Sequence, residues 1–279
     1  MLADRMETVQ AMLPLAAHHF QEHIEHVHQL RVGCRRAMAA LRAFEPLFSA
    51  KPRRLKKWLR RIREGAGPAR DADVLLARFQ KNAPSDPVTE YAIARLKSQR
   101  CEAQEQLIKV AAKASRGQLI HCVDQTLRSL SHDSDSAELA FTEYARHALR
   151  LSNASFLQLV QVPDPTLAEL HQLRIAGKRF RYSIEIFHEA FPDSLRKVIY
   201  PQLVDLQDRL GEINDHATAQ ALFQSWLAAM PADALAADVA RRVAIEHDQA
   251  IELSTSFLKW WKKRGAEFEA ALHEHCPSN

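Results

Sequence analysis

Within Val27–Phe48, VHQLRVGCRRAMAALRAFEPLF, the charged residues recur at a spacing that could bind phosphate. On a helix turning about 100° per residue, His28, Arg31, Arg35 and Arg42 share one narrow ridge. Leu30, Ala37, Leu41, Phe44 and Phe48 lie on the opposite face. An Arg guanidinium is a planar fork that grips two phosphate oxygens at once. A His at the head of the ridge adds a donor and, once protonated, a further charge. Like charges at i,i+4, such as Arg31 and Arg35, cost a helix a few tenths of a kcal/mol. A helix that needed only solubility would intersperse Glu, so the uncompensated ridge points to a polyanion that supplies the missing charge.

The same pattern returns in Leu170–Phe191, LHQLRIAGKRFRYSIEIFHEAF, aligned without gaps at an offset of 143. His28, Gln29, Leu30, Arg31, Arg36, Phe44 and Phe48 meet identical residues at His171, Gln172, Leu173, Arg174, Arg179, Phe187 and Phe191, and Arg35 meets Lys178. His171, Arg174, Lys178, Arg181 and Tyr182 share one face, with Leu173, Phe180, Ile184, Phe187 and Phe191 opposite. A single basic ridge is ordinarily a solvated surface; two in register weigh against that reading. The repeat continues at an offset of 144, where Leu59, Ile62, Gly67, Asp71 and Phe79 meet Leu203, Leu206, Gly211, Asp215 and Phe223. One repeat therefore spans half the chain. The expected organisation is a first helical half at 1–131, with its HQLR helix at 27–48 and a basic helix at 53–64, and a second at 132–279, with its HQLR helix at 170–191. The seam is placed near Ser131–Ser136.

Lys51–Arg63 carries eight basic residues in thirteen and no acid. Lys56, Arg60 and Arg63 line one flank of its apolar stripe, and we expect them to join the anion site. The counterpart Ser194–Leu210 mixes Arg196, Lys197 and Arg209 with Asp205 and Asp208, so the first half should supply more of the attraction. Asp71 and Asp215 are expected to cap helices or to orient an Arg, with a catalytic or metal-binding carboxylate as the sharper alternative. His18, His19, His23, His26 and His28 cluster near the N-terminus, and His19 and His23 at i,i+4 could hold a metal on one face, but no ligand set is completed nearby. Trp260 and Trp261 within Lys259–Arg264 read as packing beside a solvated basic face.

The rest of the composition supports helices. The chain has 279 residues, 47% of them hydrophobic, seven glycines and a formal net charge of +4. Helices are expected at 15–47, 53–64, 70–80, 87–114, 117–131, 137–160, 165–190, 194–210, 214–229 and 233–274, with Pro14, Pro52, Pro165 and Pro231 in first turns and Asn82–Pro87 as a break. Cys34, Cys101, Cys122 and Cys276 form no CxxC pair and read as buried thiols of a reducing compartment. The absence of a twenty-residue apolar run or a signal peptide implies a cytoplasmic protein without a membrane span. GxxxxGK[ST], GxGxxG, HExxH and GxSxG are absent, leaving no recognisable catalytic residues, metal site or cofactor, so we expect no enzyme.

The paired HxxR-V/I-x-x-[RK]-R helices resemble those of the CHAD domain, the conserved histidine α-helical domain, over nearly the whole chain. The resemblance implies an all-α fold of two pseudo-twofold-related bundles, about four helices each, with a basic groove or pore between them. It further implies binding of inorganic polyphosphate and association with polyphosphate granules and their proteins. By motif, His28, Arg31, Arg35 and Arg36 match the first signature, and His171, Arg174, Lys178 and Arg179 the second. Arg42 departs, facing Glu185 in the other copy. The expected function is non-catalytic polyphosphate binding. The rivals are a metal-dependent phosphohydrolase, a granule-surface scaffold and a nucleic-acid binder, the last disfavoured by the scarcity of aromatics among the basic residues.

Overall fold

A computed structural model describes residues 1–20, 22–82, 86–115, 118–130 and 137–275. The seam expected at Ser131–Ser136 and Cys276 lie outside them. Among the described residues there is no strand, only an isolated bridge between Phe48 and Leu130, so the fold is all-α. The chain divides into two compact units, Met1–Asp133 and Ser134–Asn279. No helix is long and apolar enough to cross a membrane among the described residues.

The first unit holds α1 (Leu2–His18), α2 (Glu25–Ala43), α3 (Arg53–Gly65), α4 (Gly67–Asn82), α5 (Pro87–Ser115) and α6 (Gln118–Arg128). α2 buries Leu30, Cys34, Ala37 and Leu41 against α1, α3 and α4, which turns its charged ridge outward. Gly33 sets the α1–α2 distance, because a Cβ there would meet Val9 Cγ2 at 3.3 Å. α3 buries Leu55, Trp58, Leu59 and Ile62, and these four apolar contacts hold a helix whose other residues, Glu64 and Gly65 apart, are cations. Each such large apolar side chain, fully buried, contributes about 1.5–3 kcal/mol.

The second unit holds α7 (Ala137–Val160), α8 (Leu167–Phe187), α9 (Tyr200–Leu227) and α10 (Ala234–His275). α8 starts with a full capping box, in which Thr166 Oγ1 accepts from Glu169 N–H and Glu169 accepts from Thr166 N–H. Its apolar face joins a core in which Phe156 stacks on Phe180 at 5.8 Å and meets Phe268 edge-on at 5.9 Å. Trp260 and Trp261 belong to the same packing, and the Arg209 guanidinium lies 4.5 Å over the Trp260 ring.

Several boundaries differ from the expected ones. α1 was not expected as a separate element, and Pro14 lies inside it rather than in a first turn. The stripe Leu2, Met6, Val9, Leu13 and Ala16 is buried on both sides of the proline, so packing outweighs its missing N–H. The expected helix 15–47 is divided between α1, which ends at His18, and α2, which starts at Glu25; at the end of α1 the buried Gln104 amide donates to Ala16 O at 3.0 Å and Ala17 O at 2.6 Å. His19 and His23 fall between the two helices and not on one helix face, so their i,i+4 spacing does not align them. Among the described residues no three His, Cys, Asp or Glu are grouped to hold a metal. Residues expected as two helices, 194–210 and 214–229, run as one α9 preceded by a π-helical turn at Leu195–Ile199. Cys34 and Cys122 are buried thiols, but Cys101 is exposed on α5.

Candidate functional site

The repeat positions coincide where the fold is buried and diverge at one junction. Leu59, Ile62 and Phe79 are buried, as are their counterparts Leu203, Leu206 and Phe223. In the first unit the chain breaks between α3 and α4, because Pro68 lacks the N–H needed to continue a helix. In the second, Glu212 stands in the place of Pro68 and α9 runs through unbroken. The break frees the last carbonyls of α3, which carry the negative end of the helix dipole.

Arg31 occupies that junction. Its Nη1 donates to Arg63 O at 3.3 Å, and its Nη2 lies 3.8 Å from Asp71 Oδ1. Asp71 lies inside α4, so it orients an Arg and does not cap a helix. Burial pulls the Arg31 guanidinium below its ordinary value; Asp71 opposes this, and Arg35, Arg63 and Arg70 reinforce it. The His28 imidazole is likewise held down, first by burial and then by the Arg70 guanidinium, with Arg35 and Arg31 adding and Glu25, 3.9 Å away, opposing. Burial pushes the Cys34 thiol beneath them up to about 12, although Arg63, Arg31 and Arg35 act the other way. One imidazole and four guanidiniums, from α2, α3 and α4, therefore crowd a single place with Glu25 and Asp71 as their acids. The Arg35 Nε is buried with no hydrogen-bond partner.

Of the expected residues of the first unit, the structure brings together His28, Arg31, Arg35 and Arg63. It adds Arg70, which holds the repeat position of Asn214 and whose only sequence signal was its place beside Asp71. Lys56 is tied to Glu45 at 2.7 Å, a carboxyl that this hydrogen bond holds below its ordinary range. Arg36, Arg42 and Arg60 are exposed. On α3, Arg53, Arg54, Lys57, Arg60 and Arg61 form no ion pair among the described residues.

The second ridge is arranged differently. His171 is exposed, with Nδ1 2.7 Å from Asn214 Oδ1, and the Asn214 amide in turn donates to Thr218 Oγ1 at 3.4 Å. The Asn214 oxygen is an acceptor for an Nδ1–H of His171. Arg174 and Lys178 are half-buried on the same face, and Arg179 is exposed. Arg181 is neutralised internally: its Nε lies 3.8 Å from Glu185, and its guanidinium rests over the rings of Tyr182 and Tyr200 at 5.6 and 5.7 Å. Tyr200 O–H donates to Glu185 at 2.9 Å, and Tyr182 is buried. Asp205 and Asp193 hold Arg209 and Lys197, each at 3.0 Å, so α9 and the turn before it offer fewer free cations than α3. A cleft of about 390 Å³ beside His171 is walled by Leu167, Leu170, Leu210 and Ile213, a lining too apolar to solvate phosphate.

Chemically, the first cluster can bind anions. Its thiol is kept protonated, which makes Cys34 a poor nucleophile.

Comparison with known proteins places these features in context. The family model described as CHAD domain matches residues 1–224. A crystal structure of the CHAD domain from the plant Ricinus communis aligns with a TM-score of 0.67 at 22% identity, covering 100% of this chain and 90% of that one. PptA from Streptomyces chartreusis aligns with a TM-score of 0.64 at 17% identity, covering 94% of this chain and 96% of that one. No curated protein matches.

Proposed function

The chain belongs to the CHAD domain family, and on that premise we propose that its two ridges bind inorganic polyphosphate without turning it over. The family is linked to polyphosphate binding. One observation carries the reading: His28, Arg31, Arg35, Arg63 and Arg70 are held together by packing and are left short of counter-charge. A linear polyanion with about one charge per unit supplies that charge, and releases its own counterions as it binds. His171, Arg174 and Lys178 form an anion-contact surface in the second unit. Attachment to polyphosphate granules follows from such binding.

The test is a salt titration of binding to medium-chain polyphosphate, with single-stranded DNA of matched charge as competitor. Binding that persists at physiological salt and resists the DNA supports the reading. Substituting His28, Arg31, Arg35, His171, Arg174 and Lys178 together should abolish it in a folded protein; unchanged affinity overturns it. Incubation with Mg²⁺ or Mn²⁺ should release no phosphate.

A further inference from the structure

We propose that the outward face of α3 selects for the length of a bound polyphosphate, with Arg60, Lys57 and Arg53 as a row of contacts leading away from the junction of α2, α3 and α4. The inference rests on the polyphosphate reading and assigns chain-length preference to residues outside the HxxR signature.

The row begins where α3 ends. Arg31 Nη1 donates to Arg63 O at 3.3 Å, which ties the junction to the last turn of α3. Arg60 lies one turn back from Arg63, Lys57 a further turn and Arg53 a turn beyond that. At a rise of about 1.5 Å per residue, the row reaches roughly 15 Å from Arg63. At about 100° per residue, its three members fall within about 60° of one another around the helix. All three are exposed, and none forms an ion pair among the described residues. Other cations of α3 are engaged elsewhere. Lys56 is held by Glu45 at 2.7 Å, and the Arg61 guanidinium lies 5.6 Å from the centre of the Trp58 ring. Glu64, the one acid of α3, stands past the end of the row.

Helix stability does not account for this arrangement. Arg53 and Lys57 are like charges at i,i+4, and Lys57 and Arg60 at i,i+3, so they repel. Arg53 also puts a cation in the first turn, against the helix dipole, where no acid offsets it. Nor does the repeat impose it. At the offset of 144, Arg53, Lys57 and Arg60 meet Lys197, Pro201 and Val204, and Lys197 is held by Asp193 at 3.0 Å. The two halves share the buried positions of these helices, and only the first carries the row.

A linear polyanion held at the junction has an end that must leave it. Laid over Arg60, Lys57 and Arg53, that end replaces like-charge repulsion with phosphate contacts and releases counterions at each. A tripolyphosphate is shorter than the row and stays at the junction. A chain long enough to reach Arg53 gains three further contacts.

Calorimetry with tripolyphosphate and with medium-chain polyphosphate, across a range of salt, tests this. Affinities are compared at equal phosphate concentration, so that the greater number of registers on a long chain does not count. The intact protein should bind the medium chain several-fold more tightly. The triple variant Arg53→Gln, Lys57→Gln, Arg60→Gln should lose that advantage and keep its affinity for tripolyphosphate. Its slope of log affinity against log salt for the medium chain should fall by about 0.7 for each contact removed. Its thermal midpoint should hold or rise, because like-charge repulsion is removed. Lys259→Gln, Lys262→Gln, Lys263→Gln removes the same charge from exposed positions of α10 and should leave both ligands bound as before. An advantage that persists in the α3 variant, or an equal loss in the α10 variant, overturns the row while polyphosphate binding stands. Absence of binding to either ligand overturns both.

Discussion

A Cβ built on Gly67 would lie 2.8 Å from Arg31 Nη1, so the first residue of α4 provides the space in which the Arg31 fork rests. The clash is with the far end of a flexible side chain, which can swing away at little cost in stability. Gly67→Ala should therefore leave the thermal midpoint nearly unchanged and weaken polyphosphate binding several-fold. Its repeat partner Gly211 has nothing within 4 Å of the same position and lies inside a continuous helix. Gly211→Ala should stabilise the fold by up to about 1 kcal/mol and leave binding alone. Paired denaturation and binding curves check both; equal loss of binding in the two variants would contradict the assignment of the junction.

Arg100 and Asp73 form the most buried ion pair described, at 2.6 Å, with side chains 8% and 4% exposed. Arg100 Nη1 also donates to Gln104 Oε1, and Gln104 caps α1, so the pair sits at the root of the α1 packing. Asp73 Oδ2 and Arg100 Nη2 remain without hydrogen bonds. Removing one partner strands a buried charge, and Arg100→Met should cost about 3–5 kcal/mol. The double variant Asp73→Leu with Arg100→Met should recover much of that loss. Urea melts of the three proteins give the comparison, and a double variant no better than the single would show that the pair acts through shape and not charge.

The sequence made the ridges legible because a helix repeats every 3.6 residues and the two copies share register, from His28 with His171 to Phe48 with Phe191. Burial at Leu59 and Leu203, or Phe79 and Phe223, was readable from the same alignment. Arg70 was not, because nothing local marks which of two helices joined at Pro68 will turn a side chain toward α2. Glu185 was read as a departure at the position of Arg42, and only the packing shows it neutralising Arg181 between Tyr182 and Tyr200. α1 escaped notice because Pro14 looked like a beginning, whereas its stripe from Leu2 to Ala16 is continuous across it.

Cys34, held near 12 by burial, should resist alkylation at mildly alkaline pH, whereas exposed Cys101 should react. The raised value also fixes a direction for stability. The native state retains a proton that the unfolded thiol gives up above its ordinary value of about 8.5. The stabilisation is thus fully present below that pH and is lost as pH rises toward 12. Cys34→Ala should flatten that alkaline decline. Mass spectrometry after timed alkylation, and melts across alkaline pH, check the two statements.

Arg35 and Arg36 are neighbours in sequence, both within the HxxR signature, and the fold gives them different surroundings. Arg35 acts on His28, Arg31 and Cys34, and its Nε is buried without a hydrogen-bond partner. Arg36 is exposed and turns about 100° away around the helix. If the cluster is the binding surface, Arg35→Gln should weaken polyphosphate binding and reduce the slope of log affinity against log salt by about 0.7, the value for one contact on a single strand. Arg36→Gln should leave affinity and slope within error, because a charge on the flank adds only a screened, long-range attraction at physiological salt. Equal slopes lost in both variants would mean that the ridge works as a diffuse field. Loss confined to Arg35 would mean that phosphate is held at the junction of α2, α3 and α4.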